Sequence, residues 1–273
     1  MFDSSLNRKQ RPLAKFRILA SAILAVVILL SLSYLPTRSQ GVLAQKAVRV
    51  TWLGHSAFEI VSPRGTRLLI DPFLKNNPTT PQAFKDLSRY KPNAILVSHS
   101  HFDHSQDAAE IARTSGAPLV AEFLYAATLG LPDKQQLGGN AGGSFTVGDV
   151  KIHLVPAIHS SEPGGRPLGF VLSFSDGRSL YHTGDTAIFG DMSLIEEMYH
   201  PTVMLLDVGG GPHGEDPQTA ALAVKKYFNP RIIVPIHFAN PLFPTLVKEP
   251  EVRAAFKGDR RLKLMKPGET IIF

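Results

Sequence analysis

The chain has 273 residues, 44% of them hydrophobic, which is enough for one large domain or two small ones. Its formal charge of +6 belongs to the N-terminus: residues 1–44 hold six basic side chains and one acid, leaving 23 basic against 22 acidic residues, and no aromatic-interleaved basic patch supports a nucleic-acid partner. Cysteine is absent, which excludes disulfides and thiolate ligands, so a metal would have to be held by His, Asp or Glu.

Arg8, Lys9, Arg11, Lys15 and Arg17 precede an almost unbroken apolar run from Ile18 to Leu35. As a helix this run is roughly 27 Å long, close to the hydrocarbon thickness of a bilayer. Val42-Leu43-Ala44 fits the small-residue pattern of a signal-peptidase site. Residues 1–44 are therefore expected to be a signal peptide or, uncleaved, a membrane anchor. The positive-inside rule then places the body, residues 45–273, on the extracytoplasmic side, in the periplasm or its equivalent.

Within the body, Val48 to Leu53, Ala57 to Val61 and Arg67 to Ile70 read as strands, the third ending on Asp71-Pro72. Pro81 to Ser88 is weakly helical. Ala94 to Val97 is a short apolar run, read as a buried strand that delivers His99, His101, Asp103 and His104 into a loop. Imidazoles are largely uncharged nitrogen donors at neutral pH, and with a carboxylate they suit zinc and similar transition metals better than calcium or magnesium. Gln106 to Thr114 has helical spacing before Gly116, Pro118 to Ala121 is a strand, Glu122 to Leu129 a helix, and Gly138 to Gly143 a connector.

Phe145 to Val147 with Val150 to Val155, and Leu168 to Phe174 with Ser179 to His182, read as hairpins. The rhythm then changes to helix (Met192 to Met198), strand (Val203 to Asp207), helix (Pro217 to Phe228) and strand (Arg231 to Ile236), with Leu262 to Leu264 and Thr270 to Phe273 closing the chain. Hairpins followed by alternating strands and helices predict an α/β fold with two mixed sheets packed face to face and helices outside. Three further candidate ligands follow apolar strands: His159, Asp185 and His237. Singly, each also reads as a loop residue, an Asx turn or a capped core histidine.

The run His99-Ser-His-Phe-Asp-His104 resembles the His-X-His-X-Asp-His signature of the metallo-β-lactamase superfamily. Val50 to Phe58, Leu69 to Leu74, Val155 to Ser160, Tyr181 to Thr186 and Pro235 to Phe238 are similar to its UPF0173 branch of metal-dependent hydrolases, itself similar to ascorbate-6-phosphate lactonases. The resemblance implies a four-layer αββα sandwich with its metal site at one edge. It also implies that His99, His101 and His159 hold one divalent ion, that Asp103, His104 and His237 hold a second, and that Asp185 bridges them. The ions would be zinc, with manganese or iron as alternatives.

Hydroxide shared by the ions is then the expected nucleophile, with Asp103 orienting it. Asp71 is expected to fix a ligand imidazole, with a plain Asp-Pro turn as the equal alternative. His55 and His182 are expected near the site, with a satisfied core histidine as the alternative for either, His213 at the substrate or in solvent, and His153 and His200 in structural or exposed positions. Two features depart from the branch: the N-terminal extension, and Asp207-Val-Gly-Gly-Gly-Pro-His-Gly-Glu215 where a Gly-Asp-X-Phe-Thr-Met-like run is expected.

Gly54-His-Ser-Ala-Phe58 lacks the second glycine of a nucleophile elbow, and Gly209 to Gly214 lacks the Gly-Lys-Ser/Thr ending of a phosphate loop. The expected activity is hydrolysis of an ester, lactone or phosphodiester in a small-molecule substrate. Membrane placement raises the alternative of a phospholipase-D-like enzyme acting on lipid or envelope phosphodiesters. A non-catalytic metal-binding scaffold is the other alternative, and the oligomeric state is left open.

Overall fold

The computed structural model describes residues 47–162 and 164–273. The expected signal peptide or anchor at residues 1–44 lies outside the described residues. Strands β1 (Arg49–Gly54), β2 (Ala57–Val61) and β3 (Arg67–Ile70) form an antiparallel meander, and β4 (Ala94–Leu96), β5 (Leu119–Glu122) and β6 (Gln136–Gly139) add to it in parallel. β7 (Ser144–Val147), β8 (Val150–Pro156), β9 (Leu168–Phe174) and β10 (Ser179–His182) are antiparallel neighbours in a second sheet. β11 (Val203–Asp207) and β12 (Ile232–Ile236) extend that sheet in parallel from β10. β13 (Thr270–Ile272) returns to pair with β1, completing the first sheet in the order β13-β1-β2-β3-β4-β5-β6.

Alternation along the first sheet decides what each face buries. Val50, Phe58, Ile60, Leu68, Ile70 and Leu96 join one apolar cluster with Leu154, Phe170, Leu172 and Leu180 of the second sheet. Leu53, Leu69, Ile95, Val97 and Leu119, one residue out of step, pack with Ile111 and Ala112 of helix α2 (Ala108–Ser115) and Tyr125 of α3 (Phe123–Thr128). Each fully buried side chain of this kind contributes roughly 1.5–3 kcal/mol. Helices α4 (Met192–Tyr199), α5 (Pro217–Tyr227) and α6 (Glu249–Ala255) join the cluster of the second sheet through Ile195, Val224 and Val252. The expected α/β sandwich of two sheets between helices is the observed architecture.

Several details differ from the sequence reading. The helix expected over Gln106 to Thr114 begins later, as α2, and an unexpected short α1 (Phe102–Ser105) precedes it; between them the Asp107 carboxylate accepts from Leu74 N–H and Lys75 N–H at 2.7 and 2.9 Å and turns the backbone aside. Asp103 and His104 therefore sit on a helical turn rather than in a loop. The weak helix at Pro81 to Ser88 is two single 3-10 turns. The start of the glycine connector is the end of β6, where small residues are required: a Cβ on Gly139 would lie 2.6 Å from Leu154 Cδ1. Leu262 makes only an isolated bridge to Ile233, and α6 had no expectation. Pro235 is accommodated because β12 is an edge strand.

β3, β4, β10, β11 and β12 all release chain at one edge, and β8, which runs with β10, ends there too. Candidate ligands follow these ends, where open α/β sheets characteristically place their sites.

Candidate metal centre

Chain leaving β4 is anchored at once. Ser98 N–H and Ser98 Oγ–H donate to the two oxygens of Asp71, both at 2.7 Å, and Asp71 holds a left-handed φ of 44° to receive them. His101 caps α1, so His101, Asp103 and His104 are spread around one helical turn and His99 stands just before it.

The candidate ligands from both sheets meet here. His99, His101 and His159 form one group whose donor atoms lie within 4.8 Å of one another; His55, Asp103, His104 and His237 form a second. Between them lies Asp185: its Oδ2 is 3.1 Å from His237 Nε2, 3.3 Å from His104 Nε2, 3.8 Å from His159 Nε2 and 3.9 Å from His99 Nε2. The structure thus brings together every residue expected to bind metal, with Asp185 central. His104 Nε2 and Asp185 Oδ1 are buried with no hydrogen-bond partner, and such groups are costly unless something accepts them. Orphaned imidazole and carboxylate donors fit divalent transition metals.

A second ring of contacts aims these donors. His104 Nδ1 donates to Asp71 Oδ2 at 2.9 Å, which turns Nε2 toward Asp185. Asp71 is therefore both an Asp-Pro turn and the orienting carboxylate. Leu242 N–H donates to Asn240 Oδ1 (3.0 Å), which points Asn240 Nδ2 at His55 Nδ1 (3.4 Å). His55 must then carry its proton on Nε2 and donate it to Asp103 Oδ2 at 2.9 Å, so it steers Asp103 and has no lone pair facing a metal. Its backbone, at φ 54°, is tied by Trp52 Nε1–H donating to His55 O.

Asp207 was missed as a site residue by sequence reasoning. Its Oδ1 lies 3.8 Å from His237 Nδ1, while Gly209 N–H and Glu215 N–H donate to the carboxylate. A polar residue ending an apolar strand before glycines was the available signal. His182 accepts from Gly184 N–H at Nδ1 and donates from Nε2 to Ser56 O, so it shapes the turn that presents Asp185. His153 packs on Tyr199, and His200 is exposed with φ 42°. His213 is exposed on the wall of the cleft.

Burial pushes His99, His101 and His159 below the usual imidazole range, which keeps them neutral donors, and lowers His55 to about 4. Burial also opposes charge on His104 and His237, but nearby carboxylates, Asp185 foremost, outweigh it, raising His104 well above the ordinary value and His237 to about 9. For Asp103 and Asp185 burial is likewise outweighed, by the facing histidines, and both stay far below the usual carboxylate range. Asp207, buried and beside Asp185, rises to about 7.

A cleft of about 590 Å³ opens over the centre, lined by His101, Asp103, His159, Asp185 and His237 at its base. A smaller cavity of about 310 Å³ adjoins it along the glycine-rich loop and shares His159 and His213.

Residues 49–237 match the family model of the beta-lactamase superfamily domain. A UPF0173 metal-dependent hydrolase of Anaeromyxobacter sp. (strain K) is 40% identical over 247 residues, covering 84% of this chain and 88% of that one. One from Rubrobacter xylanophilus is 40% identical over 237 residues, covering 82% and 96%. Among solved structures, Igni18, a metallo hydrolase from Ignicoccus hospitalis, superposes with a TM-score of 0.71 at 34% identity, covering 83% of this chain and 98% of that one. Family match, relatives and site agree: the chain belongs to the metallo-β-lactamase superfamily and is a metal-dependent hydrolase of its UPF0173 branch.

Proposed function

We propose that the chain holds two divalent cations and hydrolyses an ester, lactone or phosphodiester bond in a small-molecule substrate. The carrying observation is the single oxygen of Asp185 lying 3.1–3.9 Å from four imidazole nitrogens that come from both sides of it. His99, His101 and His159 would hold one cation, Asp103, His104 and His237 the other, and Asp185 both, with zinc, manganese or iron all compatible with the donors. When bound, the pair supplies a water acidic enough to attack at neutral pH and polarises the scissile oxygen. Asp103 orients the attacking water: its side chain is 12% exposed at the cleft base, against 3% for Asp185, and His55 fixes its rotamer. Water adds at the carbonyl or phosphoryl centre, the ester oxygen departs, and the water's proton leaves with it.

Metal content per chain tests this. About two ions are expected in the parent, falling toward one in an Asp103→Ala, His104→Ala double variant. Folded parent protein that takes up no metal on reconstitution would overturn the reading. Residues 1–44 are proposed to carry the body across a membrane, which N-terminal sequencing of the protein from fractionated cells checks.

A further inference from the structure

We propose that the substrate of this cleft is a neutral ester or lactone carrying an alkyl or aryl group, rather than a phosphorylated one. The proposal rests on the hydrolytic reading above and goes further by naming the chemistry of the non-reacting part of the substrate.

One wall is aromatic and braced. Phe102, between two candidate ligands, is 53% exposed and lines the cleft; its ring is tilted against Phe243 at 5.7 Å and edge-on to Phe73 at 5.8 Å. Phe243 stacks on His55 at 5.2 Å and is fixed by a turn in which its N–H donates to Asn240 O, with Leu246 continuing the apolar surface. His213 and Glu162 also line the cleft.

Among the described residues the cleft has hydroxyls and His213 but no Lys or Arg to clamp a remote phosphate. The adjoining cavity likewise has no Lys or Arg among the described residues, and the acidic Glu162 lines the cleft, which disfavours an anion there. The glycine-rich loop is the natural place for backbone amides to cradle a phosphate. Three of its N–H groups are spent internally: Gly209 on Asp207, Gly210 on Glu215 O and Gly214 on Gly210 O. What remains is an apolar shelf beside the reacting centre, in a volume that suits a ligand of modest size.

The test uses the full chain in detergent, reconstituted with zinc, and compares δ-decalactone with 6-phosphogluconolactone. kcat/KM is expected to be at least about tenfold higher for the alkyl lactone. Phe243→Ala should lower it by about tenfold on that substrate, and Phe243→Leu by much less. Equal or better turnover of the phosphorylated lactone, or an Ala variant as active as the parent on the alkyl lactone, overturns the proposal and leaves the hydrolytic reading standing. Should neither lactone turn over, calorimetric binding of the uncleaved δ-decanolactam decides. Binding that weakens in the Ala variant supports the apolar shelf while the hydrolytic reading fails; no binding overturns the shelf as well.

Discussion

His55 owes its role to a proton position that is dictated three residues away in space. The amide of Leu242 orients Asn240, Asn240 sets the tautomer of His55, and His55 holds Asp103. Removing such a supporting contact typically costs 10–100-fold in metal affinity. His55→Ala is therefore expected to weaken binding at the Asp103 side by roughly that factor, with the His99 side less affected, as chelator competition would measure. Asp71→Asn should act similarly through His104, whose Nδ1 would lose its carboxylate acceptor. The Asp71 dilemma in the sequence was a false one: a strained Asp-Pro turn is the means by which its carboxylate reaches both Ser98 and His104. The strand-end signal of Asp207 did not reveal its role, because that role depends on a histidine thirty residues later, just past the neighbouring strand, a relation that appears only once β11 and β12 are in register.

At the level of elements, hydrophobic alternation made most strands readable, and strand ends followed by His or Asp made the metal centre readable with them. Glycine obscured the rest. β6 has too little side chain to show β character, yet Gly138 and Gly139 are there because α3 and β8 pass too close for anything larger. The break between α1 and α2 was hidden because Asp107 acts through the distant amides of Leu74 and Lys75. Gly209 extends this logic to the site. A Cβ there would stand 2.4 Å from His237 Nδ1 and 2.7 Å from His237 O, so Gly209→Ala must displace the segment carrying His237. Overpacking of this kind costs about 1–3 kcal/mol, to be read from denaturant midpoints, and metal content should fall with it.

For the whole molecule, the decisive fact is that the first sheet supplies Asp71, His99, His101, Asp103 and His104 while the second supplies His159, Asp185, Asp207 and His237. Metal that binds only the assembled form stabilises it by about 2.7 kcal/mol at a free concentration of a hundred times Kd, so exhaustive chelation should lower Tm, as calorimetry would show. Acid should act in the same direction. His237, raised to about 9 in the metal-free protein, binds its proton more tightly than a free imidazole, so cations must displace protons to enter and affinity should decline as pH falls below about 9. Equilibrium dialysis across that range is the check. His237 follows β12, so the donor set is incomplete until nearly the whole chain has been synthesised and both sheets have docked. Donors of this class rank several ions closely, and which one is captured depends on supply. The place and moment at which folding finishes therefore select the ion that the finished enzyme carries.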